Sequence, residues 1–211
     1  MASLRQRATV PKDHQSPSSM PRQICPTCQR PLKVCYCSAL VHIANRIKVL
    51  IIQHPLEEKH PFNTGRMARL CLENSELIVA ENLSDEKLAQ LLKPGSALLY
   101  PSLGWLPEVE QVAPGTPQAE ALEQLVVIDA TWRKSKKMLH LHPALQQLPR
   151  VSFEGALSSN YQIRHSSLEN SLSTIESVAM AMAQLEPERD FKTMLAPFEY
   201  MVALQKANLR Q

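Results

Sequence analysis

Apolar residues gather in short blocks along this chain, and the spacing within each block selects an element. Ile47 to Ile52 is a nearly unbroken apolar run bounded by polar residues and Pro55, as expected of a strand buried on both faces. Gln53 to Asn63 reads as a loop carrying candidate active groups. Thr64-Gly65 then opens a helical pattern with Met67, Leu70, Cys71 and Leu72, and Leu77 to Ala80 reads as a second strand. Ser84 caps a helix whose first turn holds Asp85 and Glu86, acids that suit the positive end of the helix dipole, and Pro94-Gly95 stops it. A third strand, Ala97 to Tyr100, runs into Pro101-Ser102-Leu103-Gly104-Trp105. After a Pro/Gly-rich loop a short helix leads to a fourth strand, Leu125 to Ile128, which ends on Asp129. Two more helices are predicted: Ser173 to Leu185, where Ser173 and Glu176 form a capping box, and about Glu188 to Ala207.

Strands alternating with helices predict an α/β domain with a mostly parallel sheet and helices on both faces. Such sheets bind ligands beyond the carboxyl ends of their strands. Gln53-His54-Pro55, Tyr100-Pro101-Ser102 and Asp129-Ala130-Thr131-Trp132 all fall there. No internal repeat is present. The organisation expected is a disordered basic arm over 1–22, where Pro11, Pro17, Pro21 and serines leave little to pack, a cysteine knuckle over 23–46, and a catalytic α/β domain over 47–211.

Length agrees, since 211 residues accommodate one such domain and a small appendage. No apolar run approaches the ~20 residues of a membrane span, and the basic N-terminus lacks the apolar core of a signal peptide. A soluble, cytoplasmic protein with no membrane partner is expected, with the oligomeric state open and a monomer in view. The net charge of +3 hides an asymmetry: residues 1–46 carry seven Lys/Arg against Asp13, and 47–211 carry 16 against 19 acids. A cationic front attracts phosphate backbones by counterion release; a solvated tail is the plainer alternative.

Cys25-Pro-Thr-Cys28 and Cys35-Tyr-Cys37 place four thiols within thirteen residues, while Cys71 stands alone. Four close thiolates suit tetrahedral zinc, and with every position filled by protein the metal is structural. Disulfides or plain buried thiols are the alternative. Zinc here would fold a short basic segment and hold Arg22, Arg30 and Lys33 on its surface. In the segment after the fourth strand, Asp129 offers a proton acceptor, Trp132 a stacking face, and Arg133, Lys134, Lys136 and Lys137 phosphate contacts; Asp129 as the cap of a helix starting near Thr131 is the competing reading. Five glycines occur, none in a G-x-G-x-x-G or P-loop arrangement, and no G-x-S-x-G elbow exists. A dinucleotide enzyme or a serine hydrolase is thereby disfavoured.

Six ordered motifs together resemble one family. They are Cys25-x-x-Cys28 with Cys35-x-Cys37, His54-Pro55-x-Glu57, Asn63-Thr64-Gly65-Arg66, Tyr100-Pro101-Ser102, Asp129-x-Thr131-Trp132 and Ser173-Thr174-x-Glu176. The chain resembles the DTW-domain proteins, tRNA-uridine aminocarboxypropyltransferases, from about Cys25 to its C-terminal helices. Ser177 stands where that family usually has alanine, a conservative departure. The resemblance implies a fold related to the SPOUT class, with a C-terminal knot as an option, and S-adenosylmethionine as co-substrate. It implies transfer of the 3-amino-3-carboxypropyl group to N3 of a tRNA uridine, with methylthioadenosine leaving.

Within that picture Asp129 is the candidate base and His54 the runner-up, although a His between a strand and Pro55 is commonly a loop anchor. Thr131 and Trp132 would shape the donor pocket. Glu57, Asn63, Thr64 and Arg66 would orient the donor's amino acid end, Arg66 by clasping its carboxylate, unless Arg66 is only a surface residue. Tyr100, Pro101 and Ser102 would border the donor, as would Ser173, Thr174 and Glu176, whose capping role is compatible with ligand contact. Two rivals stay open: a SPOUT-type RNA methyltransferase and a non-catalytic zinc-ribbon RNA-binding protein.

Overall fold

In the computed structural model, which describes residues 23–152 and 172–208, the predicted strands form a single parallel sheet. Its members are β1 (Lys48–Gln53), β2 (Ser75–Val79), β3 (Ser96–Leu99), β4 (Gln124–Asp129) and β5 (Arg150–Val151), in the order β2-β1-β4-β3-β5. The first four lie within two residues of their sequence bounds. β5 was not expected, because two residues carry no periodicity.

The helices cover both faces. α1 (Pro55–Glu58) is a single turn in a stretch whose sequence reads as loop, held by His54, whose Nδ1 accepts the Leu56 N–H at 3.1 Å. α2 (Thr64–Cys71), α3 (Asp85–Leu91) and α4 (Pro117–Glu120) follow as predicted, and Ser84 caps α3. α5 (Trp132–Leu141) and α6 (Pro143–Gln146) fill the lysine-rich stretch after β4. α7 (Thr174–Leu185) starts where its capping box places it. The expected last helix divides into a 3-10 turn, Phe191–Leu195, and α8 (Ala196–Asn208), because residues 186–190 break the pattern around the buried Glu186. That carboxylate accepts the Ile47 N–H at 2.8 Å and the Arg46 N–H at 3.0 Å, satisfying the entry to β1.

Alternation along the strands separates two cores. Val49, Ile51, Leu125 and Val127 face α2, α7 and α8; Leu50, Ile52, Leu98 and Val126 face α3, α5 and α6. An unbroken apolar run is required when both faces of a strand are covered, which is why β1 and β4 lack polar alternation. The cysteine knuckle is not a separate lobe, since Tyr36, Cys25 and Cys28 are buried in the first core beside α8. The basic arm over 1–22, Arg22 included, lies outside the described residues. So does the connection 153–171, and with it the question of a knot.

β1 leaves toward the β2 edge, whereas β4 leaves past β3 toward β5. Their carboxyl ends are therefore the point where the connections diverge, the usual place for a ligand crevice. Gln53 and Asp129 are register partners there.

Candidate functional site

At that point the Asp129 carboxylate is almost fully buried, 6 % exposed. It turns toward the α2/α7 side of the sheet. Gln53 Nε2 donates to its Oδ2 at 2.6 Å, and Thr174 Oγ1 donates to its Oδ1 at 2.5 Å. The same Gln53 amide donates to Asn63 Oδ1 at 2.7 Å, an oxygen that also accepts the Arg66 N–H and so caps α2. Gly65 completes the arrangement: a Cβ there would lie 2.7 Å from Asp129 Cγ and 3.1 Å from Gln53 Nε2. Only glycine lets the first turn of α2 come this near the carboxylate.

Burial pushes the Asp129 carboxyl above its ordinary value, the bonds from Gln53 and Thr174 pull it back, and the charge of Glu57 raises it again. A raised carboxyl is a better proton acceptor than an exposed one. Asp129 does not cap α5; Thr131 holds that position, without a side-chain bond. The Glu176 carboxylate accepts the Ser173 N–H at 2.8 Å and the Ser173 hydroxyl at 2.6 Å, fixing the start of α7 and with it Thr174. Thr64 is buried in the first turn of α2.

The remaining predicted residues divide from this group. His54 packs on the α5 side with both ring nitrogens engaged, Nδ1 with the Leu56 N–H and Nε2 with Glu81 at 3.3 Å. That is the loop anchor considered for it. Glu57 pairs with Lys134 at 2.8 Å, and Glu81 with Lys137 at 2.8 Å. Tyr100 is buried on the α5 side, its hydroxyl 2.9 Å from Ser135 Oγ and its ring edge-on to Trp132 at 5.7 Å. Pro101 is half-buried, and exposed Ser102 accepts a bond from Gln111. Arg66 is half-buried within electrostatic reach of Tyr36. The structure thus joins Asp129, Asn63, Thr64 and Thr174 and sets His54, Tyr100 and Trp132 across the sheet.

Sequence reasoning placed Gln53 and Gly65 in segments bordering the site but gave neither residue an individual role. The signal for Gln53 was its place one step past the apolar run of β1, where a polar residue must find a buried partner. A depression of about 610 Å³ at the opposite end of the sheet, bordered by Arg46, Glu120 and Leu185, is remote from this chemistry.

The four cysteine sulfurs lie within 4.8 Å of one another, with Cys25–Cys37 and Cys28–Cys35 both at 3.6 Å. A tetrahedron with ~2.3 Å metal–sulfur bonds has edges of about 3.8 Å, so the set could hold a metal ion. All four are free thiols. Backbone N–H groups of Cys28 and Thr27 bring the Cys25 thiol down to about 6, and the tight turn is made by Gln29 at φ 57°. Arg30 is consumed structurally: its guanidinium donates to Val34 O at 3.1 Å and to Pro61 O, and lies 3.0 Å from Met201 Sδ. Lys33 is exposed.

A family model described as the DTW domain matches residues 22–206. The chain is 32% identical over 197 residues to tRNA-uridine aminocarboxypropyltransferase 2 of Drosophila melanogaster, covering 89% of this chain and 76% of that protein. It is 28% identical to the protein of the same name in Macaca fascicularis, over 87% of this chain and 64% of the relative, just under two thirds of that length. It is 24% identical to tRNA-uridine aminocarboxypropyltransferase A of Arabidopsis thaliana, over 98% and 89%. No solved structure matches.

Proposed function

The chain belongs to the DTW-domain family, and from that premise we propose that it is a tRNA-uridine aminocarboxypropyltransferase using S-adenosylmethionine. When bound, that co-substrate supplies a sulfonium whose attached carbons are electrophilic. The carbon presented in line with the acceptor is the one transferred. The N3–C bond forms as the C–S bond breaks, and methylthioadenosine departs with the sulfur lone pair. The uridine N3 proton goes to Asp129, whose Thr174-bonded oxygen is the one that can be freed by rotation of a hydroxyl. Asn63, Thr64 and Arg66, at the start of α2, orient the donor's amino acid end, and the start of α7 at Ser173-Thr174 closes the other side.

The observation that carries this reading is the convergence of three separate motifs on the one buried carboxylate of Asp129: Gln53 before His54-Pro55, Asn63-Thr64-Gly65, and Thr174. A zinc ion in the Cys25, Cys28, Cys35, Cys37 set has a structural part. It fixes the knuckle that, through Arg30 and Pro61, braces the segment leading into α2. The SPOUT relation belongs to this proposal too.

The test uses S-adenosylmethionine labelled either in the carboxypropyl chain or in the methyl group, with tRNA lacking the modification. Carboxypropyl label in the RNA, appearing as a uridine derivative by nucleoside mass spectrometry with methylthioadenosine released, is the expected result. Methyl label in the RNA with S-adenosylhomocysteine released would instead make the enzyme a methyltransferase.

A further inference from the structure

We propose that the outward face of α5, with Trp105 against it, is the docking surface for a single-stranded stretch of the acceptor RNA, and that Trp132 serves the acceptor there and not the donor. This rests on the RNA substrate of the proposed function.

Trp132 is 58 % exposed at the first position of α5. An indole so placed leaves more than half of its residue's surface to solvent. It is nonetheless held firmly: the Tyr100 ring meets it edge-on, and Ser135, bonded to the Tyr100 hydroxyl, also donates to Trp132 O at 3.0 Å. Both aromatic residues lie across the sheet from the start of α2, where the donor's amino acid end is placed.

Two turns farther along, His140 stacks on Trp105 with centroids 4.8 Å apart and planes 18° apart. Its Nδ1 is fixed at 2.7 Å from Lys136 O, and Lys136 Nζ sits 5.1 Å from the Trp105 centroid. Trp132, Lys136 and His140 follow one another at four-residue steps, a stripe about 12 Å long at 1.5 Å per residue. Exposed Arg133 flanks it.

Aromatic stations separated by cations are what a single strand needs, bases stacking on the rings and phosphates meeting the charges between them. The charge distribution favours the same occupant. Lys134 and Lys137 are tied to Glu57 and Glu81. Of the four cations on α5, Arg133 and Lys136 carry no ion pair among the described residues, so the uncompensated charge of this helix lies on and beside the aromatic stripe. A protein partner fits less well, since the stripe is narrow and offers little aliphatic area.

The experiment measures tRNA and S-adenosylmethionine affinities separately on the metal-loaded full chain, for Trp132→Ala and for the double variant Lys136→Glu/His140→Ala. Both change exposed positions, and Lys136→Glu leaves the core intact. tRNA affinity is expected to fall roughly tenfold or more in each, the scale of losing a stacked base, with donor affinity unchanged and the KM for tRNA raised. Unchanged tRNA affinity in either variant, or lost donor affinity in Trp132→Ala, overturns the proposal. Wild-type protein that binds tRNA through these residues yet transfers nothing would refute the assigned reaction and leave the surface standing.

Discussion

Asp129 is held by donors on both oxygens, and that determines which substitution is informative. An asparagine can keep its carbonyl toward Gln53 Nε2 and offer its NH2 to the Thr174 hydroxyl, which accepts as readily as it donates. Asp129→Asn should therefore fold and bind donor and tRNA, while turnover drops by roughly 10²–10⁴-fold for want of a base; steady-state kinetics with separate binding titrations check this. The pH dependence has a definite sign. Because burial raises this carboxyl in the fold, the native state holds the proton more tightly than the unfolded chain, and stability declines as pH climbs from about 4 through the raised value. Melting temperatures measured against pH should show that decline in the wild type and a flatter profile in Asp129→Asn. Gly65→Ala drives a methyl into the Asp129 and Gln53 side chains and should cost about 1–3 kcal/mol in denaturant unfolding. The motifs made Asp129 and Thr174 legible from sequence. The motif segments held Gln53 and Gly65 too, but their contacts escaped because they depend on a partner 76 residues away for Gln53 and on the approach of α2.

At the scale of elements, the knuckle yields the plainest prediction. Purified protein should carry close to one equivalent of zinc by elemental analysis, and Cys37→Ser should lower that occupancy and the melting temperature together, because Cys25 and Cys28 lie inside the main core. α5 provides a second test. tRNA affinity should fall steeply with salt, and Arg133→Ala with Lys136→Ala should reduce the slope of log affinity against log salt by about 2, one unit for each phosphate that is no longer neutralised. The paired Lys134 and Lys137 should contribute less, since surface pairs are worth about 0–1 kcal/mol and must first be given up. Caps and apolar runs made most elements readable: Ser84, Asn63 and Ser173 each start a helix where the residue pattern predicts one. α1 and β5 were not readable, being a four-residue turn set by the His54 ring and a two-residue strand set by its neighbour β3. The stacking of Trp105 on His140 joins residues 35 positions apart by packing alone, with no pattern to announce it.

For the whole molecule, the parallel sheet and the clustering of motifs at its carboxyl edge followed from the alternation of blocks. The strand order did not, and it is the order that places Gln53 beside Asp129 at the divergence of the connections. Nor did sequence reveal that the cysteine knuckle and α8 share one core, because apolar residues at the two ends of a chain carry no mark of each other. That union sets a timetable for synthesis. Arg30 and Met201 touch across 171 residues, so at 5–20 residues per second a nascent chain exposes its thiols for roughly 10 to 30 s before the helix that covers them has been made. On the proposed zinc site, metal captured by the four cysteines would keep the knuckle in shape throughout that interval. Chains halted before residue 196 should accordingly react fast with thiol reagents when zinc is withheld and slowly when it is supplied, whereas the finished protein should be protected far better, a contrast that pulse alkylation of ribosome-bound chains can measure.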